Sequence, residues 1–103
     1  MSAFIQIIQV KNCRHYIKNC YTLAVTIDSH FIDMLSQWGF LDIQNFSRYS
    51  PLAKDTFKID LEEHLQITGV INSHELFITI AKTCPNLLAG VEASIQSWCL
   101  EHK

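Results

Sequence analysis

At residue 28 the apolar periodicity of this chain changes. Through Cys20–Ile27 the residues Tyr21, Leu23, Val25 and Ile27 alternate with Thr22, Ala24 and Thr26, the period-two pattern of a strand with one strongly apolar side. From Phe31 the spacing becomes that of a helical stripe, with Phe31, Met34, Leu35 and Trp38 at i, i+3, i+4 and i+7. Asp28 or Ser29 can cap this helix by accepting from the free N–H groups of its first turn. Gly39 stands where a left-handed terminating residue is expected. The spacing therefore predicts a helix over residues 29–38.

A second helix is predicted over residues 86–100. Pro85 suits its opening turn, where a missing N–H costs little. Leu88, Val91, Ile95 and Trp98 form its stripe, and Leu87 widens it. Gly90 inside that helix costs about 1 kcal/mol relative to Ala, which points to a close approach there.

The remaining chain is β-rich. Ala3–Val10 is crowded with β-branched residues interrupted by Gln6 and Gln9, and apolarity on both faces predicts a central strand. Residues 11–19 carry no period and are expected to form a loop. Thr56–Leu61 alternates, and Leu65–Ile71 follows, with Glu62 and Glu63 as the turn and Gly69 marking a bulge or a close approach. Leu76–Ala81 fits both periods; its β-branched run favours a strand. Residues 40–55 show no sustained period and read as irregular, with Pro51 biasing Ser50 to an extended conformation. The fold class expected is α+β, a single domain over residues 1–103. It would hold a mainly antiparallel sheet of about five strands, in the order β-β-α-β-β-β-α, with two helices packed on one face.

Composition narrows function more by exclusion. The 103 residues are 49% apolar and 17% charged, with a net charge of -2. Lys11, Arg14 and Lys18 are too few to form a nucleic-acid footprint. No apolar run approaches the ~20 residues of a membrane span. With no leader segment, the cytoplasm is the expected compartment and the cysteines are expected as free thiols. A small domain rich in apolar residues and poor in charge is expected to associate, with itself as a dimer or with another protein.

No chemical motif is complete. Cys13, His15 and Cys20 are the only clustered soft ligands, and C-x-H-x4-C lacks the paired knuckle of zinc sites. Cys84, before Pro85 at a helix start, and Cys20, opening a strand, are the candidate nucleophiles if a His lies near. His74–Glu75 begins H-E-x-x-H, but Ile78 occupies the second His position. Asp60, Glu62 and Glu63 read as solvated rather than as an acid/base pair. Gly39, Gly69 and Gly90 are isolated and make no phosphate-binding loop, so no cofactor is expected. Arg48 and Tyr49 in the irregular region, together with Leu87, are candidate partner-binding residues. Trp38 and Trp98 are expected on the core side of their helices. The expected function is a non-catalytic protein-interaction or regulatory module that forms a homo-oligomer. A small thiol-dependent enzyme using Cys84 or Cys20 with a His is the alternative, and a ligand sensor with a pocket between sheet and helices is a third reading.

Overall fold

A computed structural model describes residues 4–45, 48, 50–62 and 64–101. The chain runs β1 (Phe4–Asn12), β2 (Tyr16–Leu23), α1 (Ser29–Leu35) with a 3-10 turn at Ser36–Trp38, β3 (Phe40–Gln44), β4 (Thr56–Leu61), β5 (Leu65–Val70), β6 (Glu75–Ala81) and α2 (Pro85–Glu101). All ladders are antiparallel, and the strands form one six-stranded sheet in the order β1-β2-β6-β5-β4-β3. The α+β class and the antiparallel sheet stand as expected from the sequence; the count of about five strands is corrected to six. The added strand is β3, whose five residues lie in the stretch read as irregular.

Two rows of side chains crossing the sheet form the centre of the core, and Leu65 and Ile80 belong to a third. Asn19, Ile78, Ile67, Ile59 and Leu41 form one central row; Tyr21, Leu76, Gly69, Phe57 and Ile43 form the other. In the four inner strands the apolar members of these rows are buried. Phe31, Ile32 and Leu35 from α1 and Val91, Ile95 and Cys99 from α2 complete the same cluster. Asp28 caps α1 as the sequence indicates, its carboxylate accepting from the Phe31 N–H at 2.9 Å. Trp38 and Trp98 are half-buried against this core, and Trp98 meets the Phe31 ring edge-on at 5.2 Å.

The glycines report close packing. A Cβ on Gly90 would lie 2.8 Å from Cη2 of Trp38, so the indole occupies the place a side chain would take. Gly69 sits beneath the Phe57 ring, 2.8 Å from Cε1 to the Cβ position; its ladders are regular, so it marks a close approach and not a bulge. Gly39 does not end the helix in a left-handed conformation. Its φ is 171°, an extended value, and a Cβ there would meet the Asp60 carbonyl oxygen at 2.7 Å.

Two boundaries shift for one reason, the destination of backbone hydrogen bonds. The second strand begins at Tyr16, because the chain turns back after Asn12 with Cys13 N–H donating to Tyr16 O at 2.9 Å. It ends at Leu23 rather than Ile27. Beyond that point the backbone is tied to the β5–β6 turn, through Ile27 N–H to Ser73 O at 2.9 Å and Asn72 N–H to Ile27 O at 2.7 Å. That turn carries Asn72 in the left-handed region at φ 70°, a conformation Asn tolerates better than most residues.

Candidate functional site

The first strand corrects the sequence-based expectation most sharply: β1 is an edge, not a central strand. Six strands at ~4.8 Å spacing make a sheet about 24 Å across between its outer strands. Two helices of about 10 Å diameter cover about 20 Å of that width. No residue of β1 or β3 is among the buried core residues, so the outer strands lie at the margin of the helical layer. On β1 the result is large: Ile5 is 70% exposed, Ile7 and Ile8 are each 49%, and Val10 is 48%. Ile7 lies opposite Tyr21 on the helix side and Ile8 opposite Cys20 on the open side, so both faces of the strand are apolar and uncovered.

The other edge is built differently. β3 is five residues long against nine for β1, and Asp42 sits in its middle, accepting from Gln44 Nε2 at 3.2 Å. Short length and a mid-strand charge are the usual protections of an exposed edge. In β1 the only charged residue is Lys11, next to its C-terminal end. Register shifts between Phe4 and Gln6 and between Gln9 and Lys11 leave Gln6–Gln9 as a regular stretch. Its outer backbone groups have no neighbouring strand among the described residues.

The chemically interesting side chains are only partly brought together. Cys84, before the start of α2, has its Sγ 3.7 Å from His64 Nδ1 and 3.7 Å from Thr83 Oγ1. His64 reaches it from the β4–β5 turn, where its carbonyl accepts from Ala81 N–H at 3.0 Å. Spacing cannot reveal this pairing, since five histidines are available in the sequence. His64 lines a hollow of ≈ 230 Å³ with Tyr16, Asp60 and Gln66, but Cys84 does not. A thiol and a base thus touch without a shared cavity, short of the arrangement of nucleophile, base and substrate space that catalysis needs.

Cys20 is mid-strand in β2, between Ile8 and Phe77 on the open side. Burial pushes its thiol pKa up, with Glu75 adding to the rise and Lys18 opposing it. Cys13 lies at the β1–β2 turn, where its hydrogen bond with the Tyr16 side chain raises the phenol pKa. No group of three or more His, Cys, Asp or Glu side chains able to hold a metal ion occurs among the described residues, so Cys13, His15 and Cys20 do not converge. Arg48 is exposed, and Leu87 is half-buried and packs against the core. Tyr49 and Glu63 lie outside the described residues.

No helix among the described residues is long and apolar enough to cross a membrane. No family model, curated protein or solved structure matches the chain. The feature that sets its surface apart is the exposed apolar β1 edge.

Proposed function

We propose that this chain is a non-catalytic protein-interaction module whose binding element is the β1 edge, to which a partner adds a strand. The observation that carries the reading is the exposure of Ile5, Ile7, Ile8 and Val10 along a nine-residue strand paired on one side only. Such an edge offers main-chain hydrogen bonds for affinity and alternate side chains for specificity. Left open in solution it would be an aggregation site. The total surface supports a covered patch. The chain exposes 6540 Å², against about 6,000 Å² for a compact monomer of its mass. That excess is of the order one partner covers in a standard interface, roughly 800 Å² per side.

Site-specific photo-crosslinking in the native host tests the reading. A photoreactive residue at position 5 or 7 is expected to give a discrete higher-mass adduct, and the same residue at exposed Gln96 on α2 none. Absence of adducts from β1 positions, or equal adducts from Gln96, would refute it. The second reading, thiol chemistry, rests on the 3.7 Å contact of Cys84 with His64. It requires that Cys84 react faster with iodoacetamide than Cys13 does, and that His64→Gln abolish the difference.

A further inference from the structure

We propose that the strand completing the β1 edge is β1 of a second copy, related by a two-fold axis perpendicular to the sheet, so that two six-stranded sheets become one. This rests on the interaction reading above and names its partner.

Chemical complementarity favours the second copy. Ile7 on the helix side and Ile8 on the open side are both half-exposed, so a strand that covers both must itself be apolar on both faces. β1 is such a strand. Antiparallel pairing about this axis keeps faces together, because residues directly opposite one another point to the same side. The helix side of one copy then continues into the helix side of the other.

Parity restricts the register. Opposite residues must share a face, so the axis passes beside a residue and not between two: Ile7 faces the partner's Ile7, or Ile8 faces the partner's Ile8. Either choice pairs the regular middle of the strand with itself and sets the two irregular ends against each other. Charge agrees with both. Lys11 lies near one end of β1, so antiparallel pairing places the two lysines at opposite ends of the seam and avoids a like-charge contact.

Symmetry selects β1 with β1 over β1 with β3. Pairing unlike edges leaves a free edge of each kind and propagates into an open filament, whereas a two-fold contact closes. The closed dimer presents outward only β3, the shorter edge with Asp42 at its centre. Within β1, the seam pairs residues 4–10 in the Ile7 register and 4–12 in the Ile8 register, about 23 or 30 Å long.

Sedimentation velocity over a concentration series reads the proposal directly. The protein is expected at the mass of two 11.9 kDa chains. The double variant Ile7→Lys, Ile8→Lys opposes like charges across the seam and is expected to raise the dissociation constant about 100-fold or more. Its circular dichroism should be unchanged, since neither side chain belongs to the core. Phe40→Lys, on the opposite edge, should leave the dimer intact. Ile7→Cys, or Ile8→Cys combined with Cys20→Ser to remove the thiol directly opposite it, should form an intermolecular disulfide with oxidised glutathione, since one of these residues faces its own copy. A monomer at every concentration would overturn the second copy; a β1 photo-adduct of some other mass would then leave the interaction reading standing. A dimer broken by Phe40→Lys and insensitive to the β1 changes would also overturn it. Loss of both the dimer and the β1 adduct would remove both.

Discussion

Gly90→Ala is expected to destabilise the protein, although the substitution improves a helix. Alanine gains about 1 kcal/mol over glycine in a helix interior. Here its methyl group would sit 2.8 Å from Cη2 of Trp38, with Cζ3 and Cζ2 at 3.5 and 3.6 Å. A rigid indole cannot bend away. It must swing outward, or α2 must lift while Val91 and Ile95 hold it to the sheet. Overpacking of this kind costs about 1–3 kcal/mol. The net expectation is a loss of about 1 kcal/mol, with Gly90→Val worse. The decisive comparison is a double-mutant cycle with Trp38→Leu, read by urea denaturation at equilibrium. Once the ring is removed the clash goes with it, and Gly90→Ala should stabilise by about 1 kcal/mol, a coupling of about 2 kcal/mol. If Gly90→Ala stabilises both backgrounds equally, the indole is not what glycine makes room for.

Asp28→Ala should cost about 1 kcal/mol in urea denaturation, while Asp28→Ser or Asp28→Asn stays near neutral, since each keeps an acceptor for the Phe31 N–H. Burial, with Glu92 adding and the Asn19 hydrogen bond opposing, pushes the Tyr21 phenol up to about 12 from 10.0. The native chain therefore holds this proton longer than the unfolded chain, and its contribution is complete below pH 10 and lost as pH rises through 12. Urea midpoints should fall across that window, less steeply in Tyr21→Phe; equal slopes would refute the assignment. Cys99 is buried, and burial raises its thiol pKa. Mass-spectrometric mapping should therefore find it the last of the four cysteines alkylated in native protein, and a Cys99 that labels as fast as Cys13 would contradict the packing of α2.

Both helices are legible in the sequence from their stripes, β2 only over residues 20–23 because residues 11–19 read as loop, and β1, β4, β5 and β6 each carry a β-branched or alternating run. β3 does not. Leu41 and Ile43 point to the helix side, but Phe40 places an aromatic ring on the other side, 78% exposed, and five residues cannot absorb that break in alternation. The position of β1 misreads for a different reason. Apolarity on both faces says what a strand would bury, not what is present to bury it, and coverage depends on how many strands share two helices. Gly90 and Gly69 are legible as close approaches because glycine inside an element costs enough to need a cause. The Cys84–His64 contact is not legible, since it depends on the β6–α2 junction arriving beside the β4–β5 turn. Leu87 widens the apolar stripe of α2 as expected, but that width is used against the core.

The strand order also determines how this chain comes to be folded. β1 and β2 form a hairpin closed by a short turn, and β3 to β6 form a meander, each from neighbouring sequence. The halves are joined by one ladder, β2 on β6, which brings Thr22 to Glu75 and Tyr16 to Ala81. Non-local pairings of this kind are slow, because the loop must close before any contact rewards it. During synthesis the first hairpin emerges long before β6 exists to receive it. An isolated two-stranded hairpin is marginal in water, and this one then has two open sides, with Tyr21 and Leu23 uncovered until residues 75–81 arrive. The interval between the two is when nascent chains are most exposed to one another. Formation of the β2–β6 ladder ends it.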